Sequence, residues 1–390
     1  MPEGTYQFTQ EFFPDQVTFC HLNIGIDGIS LYFLMLTTLI MPISILSNWE
    51  NISPSFSNSS NDYLRGGPTR IRAAFLLFLY TLFGSLFILL AFVVIYYNVG
   101  STDFQIISLS DINFDSQKIL FLAIFISIAV KTPLVPFNTW LTYAHSEAPV
   151  GGSIVLAGVI LKLATYGFIR IMLQFLPDAC SYYSPLVQMF AIISVIYASL
   201  STLRQTDFKK LVAYSSVSHV AVVVLGLFSN TIQGIEGAII LSLAHGLVSP
   251  ALFFLVGGVL YDRYHTRTIR YYRGLVAYIP VFALFFFVFT IFNAAVPLSA
   301  NWVGETLCLI GTFQRNPLAG VLGATGIVLS AAYSIWLYNR LTFGSSMSFD
   351  INRREYIILL PLLILSIVLG IYPNVVLNDI HSSVSSLIYT

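Results

Sequence analysis

Charge is what this sequence has least of. Of 390 residues only 9% are Asp, Glu, Lys or Arg, and 18 basic residues balance 18 acidic ones. Water-soluble domains carry about 25% charge, so a soluble globule of this size is excluded. A net charge of zero gives no hold on nucleic acid or on an acidic partner. Cysteine is equally scarce. Cys20, Cys180 and Cys308 show no C-x-x-C spacing, which argues against a disulfide framework and against an iron–sulfur, zinc or other metal site. No signal peptide is expected either, since residues 1–19 (MPEGTYQFTQEFFPDQVTF) read as polar and acidic rather than basic and then apolar.

What fills the chain instead is apolar: 56% of residues are hydrophobic, with 32 Phe and 22 Tyr. A helix needs about 20 apolar residues to cross the hydrocarbon core. That length is met near 27–48, 73–97, 119–146, 151–175, 186–203, 211–229, 235–260, 278–314, 317–343 and 355–376. The fold class expected is therefore all-α: a polytopic transmembrane helix bundle of about 10 spans, one integral membrane domain over 1–390. Residues 1–24 read as a polar N-terminal segment, 51–72 (Ser/Asn/Gly-rich) as a polar loop, and 355–390 as a C-terminal helix and tail.

Two of these spans are interrupted. Pro133 and Pro136 follow Lys131 inside 119–146, and residues 294–303 (AAVPLSANWV) break 278–314 just before Glu305. Proline removes an amide donor and clashes with the preceding turn. The backbone groups so freed must face protein or water within a bilayer, and paired breaks in two halves of a transporter point to its transport site. The spacing supports two halves, one ending near 175 and one near 343.

Ionisable groups inside the apolar runs are few. Between Lys118 and Glu147 the only formal charge is Lys131, and from 148 to 169 it is Lys162. From 211 to 261 it is Glu236, joined by His219 and His245, and none occurs from 274 until Glu305. An intramembrane ionisable residue costs about 2.5–3.5 kcal/mol on insertion scales and marks a functional site by default. Burial disfavours the charged form of lysine and glutamate alike, and histidine titrates near neutrality unaided. Lys131, Lys162, His219, His245 and Glu305 are thus candidate stepping stones for protons, with hydroxyls such as Ser249 and Tyr166 to bridge gaps. Each also has a structural reading. Lys162 could neutralise a carboxylate on another helix, and Lys131 could cap its broken helix. His245 could bond a carbonyl, and His219 could sit near a helix start. For Glu236, near a helix N-terminus, the dipole alone is the preferred account, and Glu147 reads as interfacial.

Longer stretches carry a family likeness. Residues 130–137 (VKTPLVPF), 144–149 (AHSEAP), 152–168 (GSIVLAGVILKLATYGF), 206–219 (TDFKKLVAYSSVSH), 244–247 (AHGL) and 301–305 (NWVGE) together resemble the antiporter-like membrane subunits of respiratory NADH:ubiquinone oxidoreductase, of the subunit 4 type. Residues 25–30 (GIDGIS) and 71–85 (IRAAFLLFLYTLFGS) are similar to mitochondrially encoded versions. The resemblance implies a non-redox subunit of a proton-translocating enzyme in the mitochondrial inner membrane, surrounded by lipid bilayer and other membrane subunits. It implies no cofactor in this chain, with NADH, FMN, iron–sulfur clusters and ubiquinone bound elsewhere in the complex. It implies two antiporter-like halves, 73–175 and 186–343, as inverted repeats of which the first is incomplete, and makes Lys131 the lysine of the first broken helix and Lys162 the connecting lysine of the next. His219 and His245 become the axial histidines, and Glu305 the acidic group of the second break.

The same resemblance exposes a gap. Family members carry two more helices between those matching 25–30 and 71–85, and the second holds the glutamate that pairs with the lysine matching Lys131. Here Trp49 and Glu50 pass straight into the polar loop, and N-terminal helices are missing as well. Asn138 and Thr142 stand where histidine and proline are common. An incomplete gene sequence is preferred over a degenerate subunit, and Lys131 is expected to be a family marker before it is a working switch. Two rival functions stay open: a cation/proton antiporter subunit, and a structural scaffold with disabled pumping.

Overall fold

A computed structural model of the chain describes residues 7–12, 22–49, 68–272, 274–342 and 350–389. After two short antiparallel strands, β1 (Gln7–Phe12) and β2 (Leu22–Ile26), the described residues are overwhelmingly helical. The first helices are α1 (Gly28–Ser47), α2 (Pro68–Val99), α3 (Phe114–Lys131) and α4 (Thr139–Glu147). Next come α5 (Val150–Leu173), α6 (Pro177–Leu203), α7 (Phe208–Leu227) and α8 (Ile232–Tyr264). The chain then forms α9 (Pro280–Asn293), α10 (Ala300–Arg315), α11 (Pro317–Thr342), α12 (Arg353–Ile371) and α13 (Asn374–Tyr389).

Eight of these helices are long and apolar enough to cross a membrane: α1, α2, α5, α6, α7, α8, α11 and α12. The half-helix pairs α3/α4 and α9/α10 lie where the other two of the ten expected spans were placed, in the expected order. Three details differ. Helix α2 begins at Pro68, so 68–72 of the stretch read as a polar loop are helical, while 50–67 lie outside the described residues. Strand β1 and the start of β2 lie within the stretch read only as a polar segment; the rest of 1–24 up to His21 lies outside the described residues. The expected C-terminal tail forms helix α13, which Tyr32 of α1 ties down through hydrogen bonds to Asp379 (2.6 Å) and the Val375 carbonyl (2.8 Å).

Local sequence sets where the helices start. Asp27 caps α1 in a capping box with Ser30, while Asp207, Thr231 and Ser299 cap α7, α8 and α10. Each side-chain oxygen takes an N–H left without an intrahelical partner. Pro177 and Pro280 open α6 and α9 at a position where no amide hydrogen is needed.

The bundle is organised around α8, whose apolar length is buried from end to end, with α7 nearly as enclosed and α2 the most outward-facing. Close approach between α8 and α10 depends on two glycines. A Cβ at Gly237 would lie 2.6 Å from the Cys308 amide nitrogen, and one at Gly304 would lie 2.6 Å from the Leu241 backbone. Small residues let helix backbones approach in a bilayer, where dispersion and hydrogen bonds replace the hydrophobic drive. That contact carries Glu305 into the core.

Candidate functional site

Both breaks are stitched in the same way. Helix α3 stops at Lys131 and α4 begins at Thr139, and the indole of Trp140 donates back to the Val130 carbonyl at 2.8 Å. Helix α9 stops at Asn293 and α10 begins at Ala300, and the Asn301 amide donates back to the Phe292 carbonyl at 3.0 Å. In each case a side chain of the second half-helix satisfies a carbonyl that the break has freed, as a bilayer requires.

Four of the five expected site residues form one buried array. Lys162 lies in the middle of α5, just after a turn widened to i→i+5 hydrogen bonding over Leu156–Ile160. Such widened turns recur at functional sites. Its ammonium donates to the Ala157 carbonyl at 2.6 Å and lies 2.7 Å from His245 Nδ1 on α8. Gly246 leaves the room it needs, since a Cβ there would come within 3.2 Å of Lys162 Cε. The His245 and His219 rings are 5.7 Å apart between centroids. His219 Nδ1 lies 2.6 Å from a Glu305 carboxylate oxygen, and His219 Nε2 lies 3.4 Å from the Tyr333 hydroxyl. Lys162, His219, His245 and Glu305 are each at most 3% exposed.

The positions of two members differ from expectation. His219 is twelve residues into α7, at mid-helix rather than near a helix start, because α7 begins at Phe208. Glu305 lies in the second turn of α10 rather than at the break. Of the bridging hydroxyls, Ser249 pairs with Ser216 at 3.0 Å, one helical turn from both histidines, while Tyr166 packs edge-on to Phe33.

Lys131 stands apart. It is half-buried at the end of α3, and among the described residues no carboxylate bonds it. Glu236 is held by His381 of α13 at 2.6 Å, a partner not foreseen, and Glu147 by Arg267 at 2.8 Å.

Several polar groups went unnoticed in the sequence. Tyr333 is a phenol in an apolar helix, and only its neighbours reveal it. Arg170 near the end of α5 forms a buried ion pair with Asp27. Burial alone would raise the Asp27 carboxyl, but the charge and hydrogen bonds of Arg170, with hydrogen bonds from Ser30, hold it below its usual value. Lys209, 2% exposed, donates to the Ala148 carbonyl at 3.3 Å beside Asp207, whose carboxyl burial raises against the pull of nearby N–H groups. His145 is wholly buried, and neither ring nitrogen has a hydrogen-bond partner among the described residues. Its signal was present, because it sits in the AHSEAP stretch beside the first break.

Residues 43–330 match the family NADH:quinone oxidoreductase/Mrp antiporter, TM. NADH-ubiquinone oxidoreductase chain 4 of Mycosarcoma maydis is 64% identical over 426 residues, covering 99% of this chain and 88% of that protein. The chain 4 protein of Marchantia polymorpha is 44% identical over 407 residues, covering 94% and 82%. The first alignment is longer than the chain's own 390 residues, so that relative contains residues without a counterpart here. In fold, the chain is similar to a chain of respiratory complex I from Thermus thermophilus with bound NADH, with TM-score 0.90, 24% identity and coverage of 99% and 90%. It is also similar to a chain of the Mrp complex from Dietzia sp. DQ12-45-1b, with TM-score 0.83, 16% identity and coverage of 94% and 84%. On the family match and the identity along nearly its whole length, this chain belongs to the NADH:quinone oxidoreductase/Mrp antiporter transmembrane family, in its NADH-ubiquinone oxidoreductase chain 4 branch.

Proposed function

We propose that the chain is a proton-translocating, non-redox membrane subunit of NADH:ubiquinone oxidoreductase in the mitochondrial inner membrane. In this reading it works among other membrane subunits and moves protons in response to ubiquinone reduction. NADH, FMN, the iron–sulfur clusters and ubiquinone belong to other subunits. The observation that carries the reading is the buried array of Lys162, His245, His219 and Glu305, in which two adjacent pairs are within hydrogen-bonding distance.

The chemistry follows from the atoms. The Lys162 ammonium releases a proton to His245 Nδ1, and the imidazole gives up the proton on its other nitrogen toward His219. His219, bonded to Glu305, passes its own proton to the carboxylate. Each imidazole gains a proton at one nitrogen and loses one at the other, so no net charge accumulates in the low-dielectric core. The matching stitches at Val130 and Phe292 support two related halves, 73–175 and 186–343, the first incomplete, each contributing one broken helix.

Lys131 gives the scaffold reading its one specific support, because no carboxylate among the described residues is placed to switch it. One experiment separates the two readings. The complex carrying Lys162→Ala is reconstituted into vesicles, and protons pumped per NADH oxidised are measured. Loss of a positioned proton-transfer group lowers a rate by roughly 10²-fold or more. The pumping proposal therefore expects the proton yield to drop well below wild type, with Lys118→Ala, a surface residue paired with Asp115, unchanged. An undiminished yield in Lys162→Ala would leave the scaffold reading standing.

A further inference from the structure

We infer that Tyr333 is a positioning residue for proton transfer: its hydroxyl holds the His219 ring with Nδ1 against Glu305 in both of the tautomers that the transfer creates. This rests on the function proposed above. Helix α11 presents Gly323, Gly326, Ser330, Tyr333, Ser334 and Leu337 to the bundle, at the spacing of three and four that defines one helix face. Small residues on that face bring α11 close, and the one large polar side chain among them is Tyr333, which is 0% exposed.

Ionisable groups meet His219 from three helices. His245 of α8 faces it with ring centroids 5.7 Å apart, Glu305 of α10 lies 2.6 Å from Nδ1, and the Tyr333 hydroxyl of α11 lies 3.4 Å from Nε2. Ser218 and Asn293 are further hydrogen-bonding side chains beside the Tyr333 oxygen, and the Asn293 amide also donates to the Ser334 hydroxyl at 3.4 Å. Asn293 is the last residue of α9. The second break therefore reaches His219 through Tyr333 on one side and Glu305 on the other.

A phenol suits Nε2 because that nitrogen changes role. Before the transfer, His219 Nδ1–H donates to the Glu305 carboxylate, Nε2 offers a lone pair, and the Tyr333 O–H donates to it. After one proton has arrived at Nε2 and the Nδ1 proton has moved to Glu305, the Glu305 O–H donates to Nδ1 and Nε2–H donates to the Tyr333 oxygen. A hydroxyl both donates and accepts, and it rotates to suit, so Tyr333 bonds the ring in either state. One proton enters the imidazole, one leaves, and Tyr333 keeps its own. Without the hydroxyl, Nε2 becomes a buried polar atom short of a partner, which folded chains seldom tolerate, and the ring is free to turn Nδ1 away from Glu305.

Tyr333→Phe removes the hydroxyl and keeps the ring. In complex reconstituted into vesicles, a positioning role expects assembly to persist and protons pumped per NADH oxidised to fall toward the level of Lys162→Ala. It also expects the pH at which pumping is half-maximal to move by about half a unit or more, because a hydrogen bond to an ionisable ring has been lost. The pH profile decides. A moved profile supports the positioning role; an unmoved one overturns it whatever the yield, since packing alone does not alter a titration. An unmoved profile where Lys162→Ala has lost pumping leaves the central array intact, whereas a wild-type yield in Lys162→Ala overturns the pumping function and the positioning role together. If Tyr333→Phe fails to assemble, Tyr333→Gln, which keeps a polar group there without the phenol, is read in the same way.

Discussion

A proton moves along side chains only where each donor reaches the next acceptor. Lys162 to His245 at 2.7 Å and His219 to Glu305 at 2.6 Å meet that condition. The histidine pair does not, with ring centroids 5.7 Å apart and His245 Nε2 without a hydrogen-bond partner among the described residues. On the route proposed above, the step between the rings is the slow one, because it has no direct hydrogen bond. His245→Gln keeps a side chain of similar reach but cannot ionise. It is expected to lower the turnover of coupled pumping by roughly 10²-fold, measured as proton yield in vesicles, while leaving assembly unchanged. These residues were legible because a charge in an apolar run is rare enough to notice. Tyr333 and His145 were not singled out. A tyrosine is unremarkable in an apolar helix, and an imidazole reveals its missing partners only when the three-dimensional neighbourhood is known. Glu236 was read as favoured by the helix dipole alone, but it bonds His381, 145 positions away, and no local pattern signals a pairing of that range.

At the scale of elements, the same few residues that start and break helices also place the site. Asp27 caps α1 and pairs with Arg170 of α5, so one carboxylate serves both a helix start and a tertiary contact. Breaking a buried pair by removing one partner costs about 3–5 kcal/mol, and Asp27→Asn is expected to lose that much at pH 7. The Asp27 carboxyl is held below its ordinary value of 3.8 in the folded chain. A depressed carboxyl adds stability above its unfolded value and loses it as pH falls through the folded one. The deficit of Asp27→Asn against wild type should thus stay constant from pH 8 to about 5 and shrink below about 4, as thermal unfolding of the detergent-solubilised complex would register. Both breaks were legible from Pro133, Pro136 and Pro297, since proline ends a helix wherever it lacks compensation. The turn widened over Leu156–Ile160 was not, because its residues are ordinary helix formers. Helix α13 was missed for a related reason: its run is too short and too polar to read as a span.

Across the whole molecule, seven continuous helices and two broken ones among the described residues surround α8, and the ionisable groups gather where the second break meets the centre. Hydropathy alone made this count legible, because a bilayer fixes the length of every crossing. Lys131 is the exception that organisation leaves. It ends the first broken helix, yet no acid among the described residues bonds it, and a relative of the same branch contains residues with no counterpart in this chain. The proposed function accordingly assigns proton transfer to Lys162, His245, His219 and Glu305, acting in series. That claim is tested most directly by Lys162→Ala, Glu305→Gln and the double variant, each compared for protons pumped per NADH oxidised in vesicles. Residues of one path act as a unit and their losses do not add. The account predicts a double variant no worse than the poorer single one; losses that simply add would contradict it, because the two residues would then serve separate routes.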